Sequence, residues 1–271
     1  MPTTSINETS LYYVTVGKGL PCLVMHGGLG FDHTYLHPWL DPLGDTLHLI
    51  YYDHRGNGRS GRPAKDVMTH VQFAADAEAL ALHLGFDRVA VIGHSYGGFI
   101  ALEFALRHPD RVSHLILLDT APAMNYQDEI MANAVRQGAT EEMLAVLNEE
   151  WTSDEDMRER FPMIWSLYFK NFDPVIAARL LENCIVSTSG KAGEGELEAF
   201  NVTSRLGEIH CPTLVLVGRY DFICPPSQAH ILHEGILNSE LVTFENSGHL
   251  PWVEETEIFF DTVRDWIKRT T

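Results

Sequence analysis

Residues 89–104 read VAVIGHSYGGFIALEF. A short, continuously apolar run ends in Gly93-His94, and a longer apolar run begins after Gly98. Between them stands a hydroxyl, Ser95, flanked two residues either side by Gly93 and Gly97. The first run has the length and β-branched content of a buried strand, and the second has that of a helix. A serine on a sharp strand-to-helix turn presents its oxygen at the carboxyl edge of a sheet. Side chains two residues to either side would collide in such a turn, and glycine removes them. The N–H of the next residue, Tyr96, then lies at a helix N-terminus, where it can donate to a developing oxyanion.

The rest of the chain carries the same rhythm. PCLVMH, LHLIYYDH, RVAVIGH, VSHLILLD, PTLVLVG and SELVTFE each read as a strand. Most are apolar throughout rather than alternating, the pattern of parallel strands covered on both faces. Helical segments separate them. FAADAEALALHLG closes on Gly85, YGGFIALEFALRHP stops at Pro109, and EETEIFFDTVRDWIKRTT is amphipathic. Strand–helix repetition predicts an α/β fold with a mostly parallel sheet. The rhythm breaks over residues 122–207, which are charged and rich in helix formers. We read residues 1–121 and 208–271 as the core, and 122–207 as a helical lid over the sheet edge. The lid aromatics Trp151, Phe161, Trp165, Tyr168 and Phe169 are expected mostly to form a small core of the lid. One or two of them should line a pocket.

A serine hydroxyl needs a base and an oriented acid. GRYDFICPP places Asp221 just past a strand, and FENSGHLPW places His249 in the loop after the next one. The order Ser95, Asp221, His249 fits a triad in which His249 takes the serine proton and Asp221 holds the imidazole. Asp119, at the end of LILLD, is the rival acid. The loop HGGLG offers a second oxyanion donor, the N–H of Gly28 with Leu29 as alternate, and His26 is expected to be a structural hydrogen-bonding residue. Substrate contacts are expected from Leu29, Trp151, Trp165 and Tyr168.

These segments together resemble the α/β-hydrolase superfamily over nearly the whole chain outside the lid. Within it, HGGLGFDHTYLHPWLDPL, YYDHRGNGRSGRP, GHSYGGFIALEFALRHPDRV and GRYDFICPP are similar to the prolyl aminopeptidase (proline iminopeptidase) branch. The resemblance implies a cap inserted after the sixth strand, and puts Ser95, Asp221 and His249 on the triad positions. Leu29 stands where that branch carries proline, and MIWSLYFKNF shows aromatics where an amine-binding acid is sought. Acidic candidates are Glu149, Glu150, Glu194, Glu196 and Glu198. An esterase acting through an acyl-enzyme is therefore the first expectation and an aminopeptidase the second. Lactone or carbon–carbon bond hydrolysis, or a ligand receptor on the same fold, stand behind them.

Composition narrows the partners. With 37 acidic and 19 basic residues the formal charge is −18, which disfavours nucleic acid and anionic membranes. A small-molecule ester or amide is the expected partner. Cys22, Cys184, Cys211 and Cys224 are scattered and expected to be reduced thiols. The N-terminus lacks the pattern of a secretory signal, so a cytoplasmic location is expected. His33 and His37 share a helical spacing, but with no H-E-x-x-H motif no metal or cofactor is expected. DHRGNGRSGRP is read as a surface loop.

Overall fold

In the computed structural model, which describes residues 3–28, 30–190 and 196–271, eight strands form one sheet in the order β1-β2-β4-β3-β5-β6-β7-β8. The strands are β1 (Thr3–Ile6), β2 (Thr9–Val16), β3 (Leu20–Met25), β4 (Leu47–Tyr52), β5 (Val89–His94), β6 (Val112–Leu118), β7 (Thr213–Gly218) and β8 (Ser239–Phe244). From β4 to β8 neighbouring strands are parallel; β1 and β2 are antiparallel additions at one edge. The registers bring Met25, Tyr52, His94, Leu118, Gly218 and Phe244 to one carboxyl edge. Open α/β sheets bind their ligands there.

Helix α1 (His70–His83) starts on a Thr69 side chain that accepts the Gln72 N–H. It ends with Gly85 at φ +84°, where Gly85 N–H donates to Leu82 and Phe86 N–H to Ala81. This αL glycine satisfies the last carbonyls of the helix. Helix α2 (Tyr96–Arg107) is buried along its whole length except Arg107. Each large side chain it sinks against the sheet contributes roughly 1.5–3 kcal/mol, so the element behind Ser95 is firmly held.

Between β6 and β7 the described chain forms α3 (Gln127–Arg136), α4 (Glu141–Asn148), α5 (Asp154–Ile164), α6 (Pro174–Leu181) and α7 (Glu196–Ala199), with 3-10 turns among them. The way out and the way back meet at an antiparallel bridge, Ala123 with Asn201. Helices α8 (Pro226–Gly235), α9 (Pro251–Glu254) and α10 (Thr256–Thr270) complete the core. Helix α10 buries Phe259, Phe260, Val263, Trp266 and Ile267, one face of its period. No helix among the described residues is long and apolar enough to cross a membrane. All four cysteines are free thiols.

The loop DHRGNGRSGRP lies mostly below the surface: Asp53, His54, Arg55, Asn57 and Ser60 are buried, and only its end, at Arg62, is exposed. Its charges are compensated inside. Arg55 holds Asp76 through two bonds of 2.6 and 2.7 Å, and Asp53 takes the backbone N–H groups of His33 and Arg59. Basic residues suggest exposure only when their partners, distant in sequence, are unseen.

Candidate active site

Ser95 sits at the top of β5 with φ +55° and ψ −123°, a conformation rare outside glycine. The flanking glycines are required by contact. A Cβ on Gly97 would lie 2.1 Å from the Met25 carbonyl oxygen, and one on Gly93 would lie 2.6 Å from that of Gly97. The Ser95 backbone is fixed from both sides: its N–H donates to Leu118, and the Thr120 hydroxyl donates to its carbonyl at 2.7 Å.

Asp221 follows β7 and His249 follows β8, and the structure brings the two together. His249 Nδ1 lies 2.8 Å from Asp221 Oδ2. Asp221 Oδ1 accepts the N–H groups of Ile223 and Cys224, which fixes the carboxylate. His249, Asp221 and Asp119 are all buried. No hydrogen bond joins Ser95 to His249; the Cys224 thiol lies beside the serine hydroxyl. Burial and the Asp221 charge push that thiol well above its ordinary range, so it is neutral. Rotation about the Ser95 side chain is needed to engage the imidazole, and such bonds often tighten only with substrate bound.

Gly28 lies in the turn after β3 with φ +85°, and Tyr96 is the first residue of α2, where an N–H has no partner within the helix. Both line the cavity with Ser95. Leu29 and Glu194 lie outside the described residues. His26 is a structural bridge: its Nδ1 meets Gly27 carbonyl at 3.0 Å and its Nε2 accepts the His54 N–H.

Behind the serine runs a chain of hydrogen bonds that the sequence did not announce. The Gly27 N–H donates to the Tyr35 hydroxyl at 2.5 Å, which leaves the Tyr35 proton to donate to His94 Nδ1 at 2.8 Å. His94 Nε2–H is then the donor to the His249 carbonyl at 3.1 Å. The Tyr35-to-His94 link requires a neutral His94, and burial and the neighbouring His249 push its pKa well below the usual range. Tyr35 and His94 both lie inside the motifs quoted above, yet only the fold shows that they meet. Cys224, three residues beyond Asp221, was likewise missed.

The cavity has a volume of about 700 Å³. Its wall includes Phe31, Trp151, Phe161, Trp165 and Tyr168. This corrects the expectation that one or two lid aromatics face the pocket. Phe161, Trp165 and Tyr168 pack on one another at 5.0–5.6 Å between ring centres, so the same rings form a cluster of the segment between β6 and β7 and the cavity wall. Phe169 alone of the five is not in the wall. Glu149, Glu150 and Glu198 also line the cavity, but all three are exposed, and Glu149 is held by Arg160. Glu196 instead pairs with His70.

His33 and His37 do not converge on a common centre. His33 Nδ1 is 2.5 Å from Asp53, and His37 Nδ1 is 2.9 Å from Asp41. The cluster of Asp32, His33 and Asp53 is closed by Arg59, 2.7 Å from Asp32.

A family model described as alpha/beta hydrolase fold matches residues 21–256. The proline iminopeptidase PfmaB of Pestalotiopsis fici is 29% identical, covering 97% of this chain and 98% of its own. Among solved structures, a thermophilic esterase from Thermogutta terrifontis superposes with a TM-score of 0.75 at 27% identity, covering 99% of this chain and 97% of that one. An enol-lactonase from Burkholderia xenovorans LB400 gives a TM-score of 0.73 at 25% identity, covering 98% and 100%.

Proposed function

Since the chain belongs to the alpha/beta hydrolase family, we propose that it is a carboxylic esterase in which Ser95 is the nucleophile. His249 accepts the Ser95 proton as the oxygen attacks the ester carbonyl. Asp221 holds the imidazole through Nδ1 and stabilises the imidazolium. The N–H groups of Gly28 and Tyr96 receive the oxyanion. His249 then gives the proton to the departing alcohol, leaving an acyl-serine. Water, deprotonated by the same imidazole, attacks the acyl carbon, and the proton returns to Ser95 as the acid leaves. Residues 122–207 act as the lid that excludes water from this sequence.

The observation that carries the ester preference is the cavity wall. It is aromatic and aliphatic beside Ser95, and its carboxylates are exposed, with one already held by an arginine. An uncharged acyl or alcohol group fits such a wall, whereas a free amino terminus needs a carboxylate kept for it. Aminopeptidase activity is the second reading. It is favoured by the presence of Glu149, Glu150 and Glu198 in the lining and by the names of the curated relatives. A comparison of kcat/KM for short p-nitrophenyl esters and proline β-naphthylamide decides between them. Faster ester cleavage is expected; markedly faster cleavage of the proline amide would replace the esterase by an aminopeptidase.

A further inference from the structure

Asp119 follows β6 at the same sheet edge as the catalytic candidates, and the reaction described above does not use it. Its side chain is fully buried, and its backbone is held at φ +45°, in the left-handed region. One carboxyl oxygen, Oδ1, accepts the Gly218 N–H at 2.8 Å. The other, Oδ2, accepts from no donor among the described residues. A buried carboxylate oxygen without a donor is costly, and native structures rarely keep one. The charged groups facing it are the acids Asp221 and Glu254, and Cys224 beside them is a neutral thiol. Asp221 lies within hydrogen-bond reach of Asp119. Two ionised carboxylates in contact in a buried site would repel strongly. If one of them carries a proton, the orphaned oxygen becomes a donor and the repulsion becomes a hydrogen bond.

We propose that Asp119 is a positioning residue that stays protonated at neutral pH and donates its carboxyl proton to the Asp221 carboxylate. Its bond steadies Asp221 while an Asp221 oxygen meets His249 Nδ1. Asp119 is not itself the acid of the triad, because His249 Nδ1 is already bonded to Asp221 at 2.8 Å. Burial and the Asp221 charge push the Asp119 carboxyl well above the usual carboxylate range. The carboxyl oxygens of Asp221 already accept two backbone N–H groups and meet the imidazole, whereas Asp119 Oδ2 has no donor among the described residues.

This inference rests on the serine-hydrolase reading for its catalytic consequence, but not for the proton. Infrared spectra at pH 7 of the wild type and Asp119→Asn test the proton directly. A carboxylic-acid carbonyl band that vanishes in the variant is expected; no such band, or one that persists, overturns the proposal. Labelling by a fluorophosphonate then reads the effect on Ser95. Asparagine keeps both roles, since its carbonyl accepts from Gly218 and its amide donates to Asp221, so Asp119→Asn labels within a few-fold of wild type. Asp119→Ala loses the bond and slows labelling on the order of 10- to 100-fold, and Asp221→Asn is slower still. If Asp119→Asn loses as much as Asp221→Asn, Asp119 is the orienting acid and the proposal falls. Absence of wild-type labelling would instead refute the Ser95 nucleophile, with the infrared result standing on its own.

Discussion

Replacing Tyr35 by phenylalanine removes one oxygen atom and cuts the chain from Gly27 to His249 at its centre. In the wild type that oxygen receives the Gly27 N–H and gives its proton to His94 Nδ1. The variant leaves one buried donor and one buried acceptor unpaired. Each such group costs about 1–3 kcal/mol. Because Tyr35 and His94 both line the cavity, water can reach the gap and the total should fall near the lower end, about 2 kcal/mol. At about 2–4 °C per kcal/mol for a chain of this size, the melting temperature should drop by about 4–8 °C. Activity should suffer separately from stability. The Gly27 link holds the loop that presents the Gly28 N–H, and losing an oxyanion donor outright costs about 10²–10³ in kcat. A loosened donor should cost less, on the order of tenfold in kcat, with KM little changed. Differential scanning calorimetry and steady-state kinetics below the melting range measure both. A Tyr35→Phe enzyme with wild-type melting temperature and kcat would refute the hydrogen-bond chain as a support of the site.

Ser95→Ala should abolish turnover, by on the order of 10⁴-fold or more, while the circular dichroism spectrum and melting temperature stay near wild type; substantial residual activity would remove Ser95 from the nucleophile's role. Stability should fall with acid below about pH 5.5, a unit under the ordinary histidine value of about 6.5, where the unfolded chain's histidines are charged. Burial pushes His54 and His94 well below that value in the folded chain, so the unfolded chain binds protons that the fold excludes. Asp119, shifted upward, works in the opposite direction with one proton. Once the unfolded histidines are charged, two protons against one leave a loss of about 1.4 kcal/mol per pH unit, to which the burial-lowered His26, His70 and His114 add and from which the burial-raised Glu254 subtracts. Urea unfolding at pH 5.5 and 4.5 should show the loss, and an unchanged or higher midpoint at pH 4.5 would contradict it.

The elements that the sequence revealed are those whose pattern is local. Strands β3 to β7 are buried on both faces, so their apolar runs stand out, and Ser95 is marked by glycines that the turn itself demands. β1 and β2 escaped. TTSI is polar and alternates between exposed and buried, and the turn between the strands uses Asn7 and Glu8 at φ +44° and +63° where glycine would have signalled a hairpin. Helix α8 escaped as well, because PSQAHILHEG buries only Gln228, Ala229 and Leu232. At the site, Asp221 and His249 were legible from their order and their place after strands. Tyr35, His94 and Cys224 were not, because their roles depend on partners 59, 155 and 98 residues away: His94, the His249 carbonyl and Tyr126. The burial of Arg55 was hidden for the same reason, since Asp76 neutralises it across 21 residues.

One contact between the segment joining β6 to β7 and the rest of the fold bears on how the sequence of such a segment can drift. The N–H of His249 donates to the Tyr168 carbonyl at 2.8 Å, and Gly248 permits the approach, since a Cβ there would lie 2.4 Å from that oxygen. The β6–β7 segment thus grips the backbone of the residue assigned as base with an atom that every amino acid possesses. Substitutions at position 168 can remodel the cavity while the grip persists. An insertion or deletion in the 3-10 turn Trp165–Tyr168 shifts the carbonyl and, with it, the imidazole. Among the described residues helix α4 makes no such bond to the His249 backbone, so substitutions there do not move that carbonyl directly. Substrate range can therefore be retuned along one side of the cavity without disturbing the histidine, whereas the other side is constrained by geometry more than by residue identity.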